Sequence, residues 1–524
     1  MATAQLNVTD VVALKYPTAV RLVLNTVSNF VGQGIVLLVT FFSTPYVTRK
    51  LGATQYGTLN LLIICIFSVS LLNLGINTSL VKYLAELMPK GEMGEVQRYF
   101  STALTVLVGI GLLVAVLIFA SAGAIVHHFF KDTGEFTSAT YVALRIASIA
   151  FVLQFLTQVL LSVAAGVQRF EILNIVGTAS DTARLLGMIV VVYLGGGLVA
   201  LMALLMVVSL CTCTTYAFVA KALAPQLSLR PGFSVRHLRA LVTHSKFVLV
   251  GNAGRQLVGS ADNVIIGYCL PVSALAYYGI SYSIAQRLWT LVGNVASVVF
   301  PAASAFSGSD DQAHVQELYL RGTKIAAAAA CFPALALAIF SRELMLYWLS
   351  PEYAANGARV LACLSLGFLV NSFSFVPYQT LQSTHYAATT AKGSVGYALI
   401  NVVMFLLLIP RYGIVGASSA FLLSQFAFVP WFTRLANQRI GVPHSAVISS
   451  YAKVFVVAAA SCAITWTGRF LVHSLISLGL VVGVGFSLYL ILAYSLVLDR
   501  RERTACKLLL QQATCFVGSV TSIN

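Results

Sequence analysis

Residues 100–126 read FSTALTVLVGIGLLVAVLIFASAGAIV, a run of 27 positions without a single charge. As an α-helix rising about 1.5 Å per residue, such a run is roughly 40 Å long, more than the ~30 Å of hydrocarbon in a bilayer. In lipid every backbone N–H and C=O must find its partner within the chain, so the helix is the form this segment takes. Outward from it the pattern repeats: apolar spans fall at 24–47, 57–80, 100–126, 139–165, 173–194, 198–223, 246–269, 275–300, 323–341, 357–382, 392–409, 414–436, 447–467 and 475–497. The chain therefore predicts an all-α polytopic membrane protein with about 14 transmembrane helices.

Composition agrees. Hydrophobic residues make up 59% of the 524 positions and charged residues 9%, against roughly 25% charged in a soluble domain. The net charge of +16 is carried by single basic residues in short loops, not by an aromatic-interleaved patch, which argues against nucleic acid. With the N-terminus inside, 21 of the 32 Lys and Arg fall in cytoplasmic segments and eight in outer ones. That bias sets the expected orientation, with both termini cytoplasmic. The first apolar stretch carries no small-residue cleavage site and is expected to stay as an anchor. The nine cysteines are scattered and show neither a disulfide framework nor paired metal ligands, and no cofactor is expected.

Short matches recur when the first six spans are laid on the next six. Tyr56-Gly57 falls on Tyr278-Gly279 at an offset of 222, Val96-Gln97 on Val315-Gln316 at 219, Arg145 on Arg359 at 214, and Gly197 and Val199 on Gly413 and Val415 at 216. Six spans return the chain to the side where it began, so the two halves are expected to be parallel repeats. The expected layout is a first six-helix lobe at 1–223, a basic cytoplasmic loop at 224–245 acting as a hinge, a second six-helix lobe at 246–436, two further helices at 437–499 and a cytoplasmic tail at 500–524.

Charged and amide side chains inside spans are costly and usually face a cavity or a partner. Span seven sets Asn252, Arg255, Gln256, Gly259, Asp262 and Asn263 on one helical stripe. Arg287 and Asn294 lie in span eight, Asn25, Asn29 and Gln33 in span one, and Asp181 with Arg184 at i and i+3 in span five. Arg255, Arg287, Arg184, Asn252, Gln256, Asn29 and Gln33 are candidates to line a cationic chamber, because a guanidinium fork suits a pyrophosphate and amides suit sugar hydroxyls. Asp262 and Asp181 are candidate ion-coupling acids. Against these stand structural readings: Arg184 and Arg287 near enough to helix ends to snorkel, Asp181–Arg184 as a self-neutralised pair, and span-one amides as packing contacts. No histidine sits mid-span, and Gly195-Gly196-Gly197 lacks the Lys-Ser/Thr of a phosphate loop.

The opening segment has an amide-bearing first helix, then Thr48-Arg49-Lys50-Leu51-Gly52 before Tyr56-Gly57, then Leu74-Gly75. Further along come Gly166-Val167-Gln168-Arg169-Phe170, Asp262-Asn263 and Ile409-Pro410-Arg411-Tyr412-Gly413-Ile414-Val415-Gly416-Ala417. On these motifs the chain resembles Wzx-type O-antigen and exopolysaccharide flippases, polysaccharide biosynthesis proteins of the multidrug/oligosaccharidyl-lipid/polysaccharide exporter superfamily. The resemblance implies a flippase that moves an undecaprenyl-diphosphate-linked oligosaccharide, feeding lipopolysaccharide or exopolysaccharide assembly, from the inner to the outer leaflet by ion-coupled alternating access. It also implies membrane lipids as surroundings, a polysaccharide polymerase and a chain-length regulator as partners, and a monomer as the working unit, with no nucleic acid and no enzymatic chemistry. A lipid II-type flippase and a MATE-like drug/cation antiporter are the alternatives within the same superfamily. A membrane glycosyltransferase would need acidic or metal-binding loops. The loops near 224–245 and 301–322 hold no such constellation: the first is basic with Arg230, Arg236 and Arg239, and Asp310-Asp311 in the second suits a solvated turn or cap.

Overall fold

The computed structural model describes residues 18–68, 75–129, 134–296, 312–383, 386–499 and 502–503. Fifteen α-helices and no strand occur among the described residues. They are α1 (Thr18–Ser68), α2 (Ile76–Leu87), α3 (Met93–Phe129), α4 (Thr137–Gly166), α5 (Phe170–Tyr193), α6 (Leu198–Leu223), α7 (Val235–Cys269) and α8 (Val272–Ala296), followed by α9 (Gln312–Ile339), α10 (Ser341–Trp348), α11 (Pro351–Ser372), α12 (Phe375–Ser383), α13 (Ala387–Ile440), α14 (His444–Thr467) and α15 (Leu475–Leu492). Among the described residues, ten helical stretches are long and apolar enough to cross a membrane.

Two helices are too long for one crossing. At about 1.5 Å per residue, the 54 residues of α13 would reach roughly 80 Å. The helix breaks at Gly413 (φ 61°, ψ −142°), between the spans expected at 392–409 and 414–436. A Cβ on Gly416 would lie 2.2 Å from the Leu408 carbonyl oxygen, so chain eight residues apart is folded back on itself there. In α1 the break is at Gly52 (φ 75°, ψ 170°). Both conformations lie where L-residues with a Cβ meet strain, which is why glycine stands at each.

The surfaces of these helices are apolar outward. On α3, Leu113 is 61%, Val116 63% and Leu117 57% exposed, and on α15, Leu480 is 66% and Val484 71% exposed. Runs of this kind on neighbouring turns would aggregate in water, and lipid is their solvent. This is a multi-pass membrane protein.

The chain divides into two compact units, Met1–Gly279 and Ile280–Asn524. In the first, α4 packs against α3 and α6, α5 lies on α1, and α7 contacts α1, α2 and α3. Its core runs through Leu80 and Leu84 of α2, Phe100 and Leu107 of α3, Phe155 and Val159 of α4, and Tyr216 of α6. Helices α1 and α8 approach closely at two glycines: a Cβ on Gly57 would sit 2.2 Å from the Val272 carbonyl oxygen, and one on Gly279 would sit 2.1 Å from Asn60 Nδ2. The two Tyr-Gly pairs of the repeat thus lie on the same helix crossing, α1 against α8, as small residues favour in membranes. In the second unit α9 packs on α14 and α11, and α13 on α11 and α12. Tyr489 of α15 stacks on Phe332 at 5.2 Å and donates to the Ala328 carbonyl at 2.7 Å.

The chain between α6 and α7 is shorter than the loop expected from hydropathy, because α7 already begins at Val235. Residues 224–234 are strapped to the end of α3. Gln97 Nε2 donates to the Ser228 carbonyl (2.8 Å) while Gln97 Oε1 accepts from the Ser228 N–H (2.7 Å). Gly232 N–H donates to Thr105 Oγ1 at 3.0 Å, and His237 joins Glu95 Oε2 at 2.8 Å. The His237 hydrogen bond is the main reason that the Glu95 carboxyl is held below its ordinary value. In the second unit Gln316, aligned with Gln97 by the repeat, donates to the Ile440 and Gly441 carbonyls, both at 3.1 Å. Both glutamines pin the chain that leaves a later helix.

Candidate functional site

Of the side chains named from the sequence, those of Asn252, Arg255 and Gln256 at the start of the α7 stripe lie outside the described part of the structure, as do those of Asn25, Asn29 and Asn294. Its C-terminal part is described. Asp262 is 1% and Asn263 5% exposed. Asp262 Oδ1 accepts from the backbone N–H (2.7 Å) and Nδ2 (2.8 Å) of Asn263, and Oδ2 accepts from the Tyr278 hydroxyl at 2.6 Å. Tyr278 comes from α8 and is fully buried. No cationic side chain pairs with Asp262 among the described residues, and the buried Asn263 Oδ1 beside it has no donor. A carboxylate held by neutral donors next to a spare amide oxygen is chemically suited to take up a proton or a small cation, because each would neutralise a charge that burial penalises.

The acid and base of α5 do meet: Arg184 Nη2 donates to Asp181 Oδ1 at 2.9 Å. Their side chains are 26% and 50% exposed, so the pair is neither sealed nor fully solvated. Arg184 also lies within electrostatic reach of Tyr56, since α5 packs along α1. A Cβ on Gly32 would meet Thr178 Oγ1 at 2.3 Å, which is how closely the two helices approach. Gln33, next to Gly32, is exposed. Arg287 stands on α8 in the second unit, exposed and without a carboxylate partner among the described residues. Asp262, Asp181 and Arg184 thus share the first unit, whereas Arg287 belongs to the second.

Two groups were not singled out by sequence reasoning as site residues. Tyr278 was visible only as half of a Tyr-Gly match, and nothing in hydropathy links it to a carboxylate 16 residues earlier. Another polar network, Asn371 to Gln425 (3.0 Å), Gln425 to Tyr397, and Asn401 to Tyr397 (3.0 Å), ties α11 to α13 inside the second unit. Its amides, Asn371, Asn401 and Gln425, stand singly among apolar residues far apart in the sequence, so no periodicity announces them. Among the described residues no group of His, Cys, Asp and Glu could hold a metal ion.

With this geometry in hand, known proteins show the same fold. A structure of the lipid II flippase MurJ in an inward closed conformation superposes with a TM-score of 0.72 over 90% of this chain and 98% of that one, at 13% identity, a likeness of fold alone. A Shigella flexneri protein provisionally named an O-antigen transporter is 20% identical over 75% of this chain and 92% of its own length. A Haloferax volcanii protein provisionally named a low-salt glycan biosynthesis flippase is 25% identical over 76% of this chain and 79% of its own. The profile of the family described as polysaccharide biosynthesis protein matches residues 46–355, more than half of the chain, and the protein belongs to that family.

Proposed function

We propose that this protein is a flippase for lipid-linked oligosaccharides. The observation that carries the reading is the family match across α1 to α11, on a bundle whose outer faces are lipid-exposed and whose first unit buries a carboxylate. The names of the Shigella and Haloferax relatives support the same reading. The cargo is an undecaprenyl-diphosphate-linked oligosaccharide, moved from the inner to the outer leaflet of a bacterial inner membrane with both termini cytoplasmic. The cargo is met by Arg255, Arg287, Arg184, Asn252, Gln256, Asn29 and Gln33, in a chain of fourteen transmembrane helices built as two parallel lobes plus two further helices. Asp262 carries the coupling proton or cation, for the electrostatic reason given above. Asp181, already paired with Arg184, acts with it. A polymerase and a chain-length regulator consume the product, and a monomer suffices for transport.

The test is complementation of a strain lacking its O-antigen or exopolysaccharide flippase. Restored surface glycan is expected, and it should disappear in Arg255→Ala plus Arg287→Ala while the protein stays in the membrane. Unchanged glycan in that double variant would remove the cationic chamber. Restored growth of a strain lacking its lipid II flippase, or resistance to cationic drugs, would instead favour the two alternative cargoes.

A further inference from the structure

Where α9 passes into α10 and α14 into the short turn Gly468–Leu471, the second unit holds a pocket of about 370 Å³. That size suits a small ligand or a lipid headgroup. Its charged wall is unusual. Arg469 Nε donates to one oxygen of Glu343, Oε1, at 2.6 Å, and Nη2 stands 2.6 Å from the same oxygen, whereas a guanidinium fork ordinarily gives one N–H to each carboxylate oxygen. Among the described residues no other acceptor engages Arg469, so N–H groups of its five remain for a ligand. Its guanidinium plane lies over Trp466, 4.4 Å from the ring centroid, and is held there.

The pair Arg469–Glu343 is neutral overall. Arg342 also lines the pocket, is exposed, and has no ion-pair partner among the described residues. The pocket thus carries one uncompensated positive charge. Its walls are fixed: Tyr347 donates to the Val472 carbonyl at 3.1 Å, and Phe340, Val472 and Leu478 form a small buried core behind it. Its rim is apolar and bare, with Phe470 86% and Leu471 69% exposed. From the rim, Ile476, Leu480 and Val484 continue along one face of α15 at 78%, 66% and 71% exposure. Aromatic rings beside arginines at the end of lipid-facing helices mark the membrane–water interface.

We propose that this pocket binds the phosphodiester headgroup of one membrane phospholipid. Arg342 and the unspent N–H groups of Arg469 take the phosphate oxygens, and the acyl chains run past Phe470 along the exposed face of α15. A single phosphodiester charge matches the single uncompensated guanidinium, which a neutral sugar stacked on Trp466 would leave unanswered. With the orientation proposed above, this lipid belongs to the outer leaflet. The inference rests on the protein's being in a membrane and not on what it transports, so lipid binding and glycan export can fail separately.

The test uses the full-length protein purified in a mild detergent and titrated with phosphatidylethanolamine or phosphatidylglycerol, read by native mass spectrometry. Parallel arms use a neutral glucosyl diacylglycerol and inorganic phosphate. One tightly held phospholipid is expected, with binding about tenfold weaker or more in Arg342→Gln, the effect of losing one charge-assisted contact. Arg411→Gln, which removes an exposed arginine elsewhere, should bind as the wild type does. Among the described residues Arg342 makes no hydrogen bond or ion pair, so its replacement leaves the fold intact. Equal binding by wild type and Arg342→Gln would overturn the proposal. So would equal retention of the neutral glycolipid, or inorganic phosphate binding as tightly as the phospholipid, which would make the site a free-phosphate site.

Discussion

Replacing Gly57 with alanine puts a methyl group against backbone, and replacing Gly279 puts one against a movable side chain. The new Cβ at position 57 would stand 2.2 Å from the Val272 carbonyl oxygen and 3.3 Å from the Ala276 nitrogen. To reach 3.0 Å, the least that real Cβ atoms tolerate, α1 and α8 must part by about 0.8 Å at the crossing. A gap of that size forfeits a quarter to a half of each dispersion contact, and overpacking of this kind costs about 2–3 kcal/mol. Helix propensity returns ~1 kcal/mol for Gly→Ala, leaving a net loss of roughly 1–2 kcal/mol. At Gly279 the obstacle is Asn60 Nδ2, which can rotate away at the loss of a long 3.5 Å hydrogen bond to the Leu275 carbonyl. That loss is at most ~1 kcal/mol, about equal to the propensity gain. Thermal unfolding of the two detergent-solubilised variants should therefore show Gly57→Ala melting a few degrees below wild type and Gly279→Ala close to it. Membrane abundance should follow the same order. A Gly279→Ala variant as destabilised as Gly57→Ala, or the reverse order, would refute the close helix crossing.

Gln97→Ala removes both hydrogen bonds to the Ser228 backbone, about 1–3 kcal/mol together, so hydrogen exchange at the Ser228 amide should speed up by tenfold or more. Glu95 lies before the apolar stretch of α3, and its carboxyl is held down first by His237, with Arg98 and Arg236 adding to this and Tyr99 packed edge-to-face against the imidazole. A depressed carboxyl contributes above its ordinary value of 4.5 and loses that contribution as pH falls below it. Emission from a Phe233→Trp probe should therefore be flat from neutral pH to about that value and change below it, and Glu95→Gln should abolish the change. Asp262→Asn keeps the shape but removes the charge: export in the complementation strain should fall at least tenfold with normal membrane abundance, whereas Tyr278→Phe should cost only about 1 kcal/mol of stability. Wild-type export from Asp262→Asn would exclude that carboxylate from coupling.

The apolar spans, the breaks near Gly52 and Gly413, the basic bias of the loops and the presence of Asp262, Asp181 and Arg184 inside spans were all legible in the sequence. Each depends on composition within about one membrane thickness, which a window of roughly 20 residues captures. Even the Asp181–Arg184 pair is local, because three residues along a helix bring side chains onto one face. Which helix faces meet was decided only by the tertiary structure. A helix in lipid is apolar all round, so it carries no strong moment to tell its packed side from its lipid side. Hence Tyr278 against Asp262, Gln97 against Ser228 131 residues away, and Glu343 against Arg469 126 residues away appear only once packing has joined distant segments.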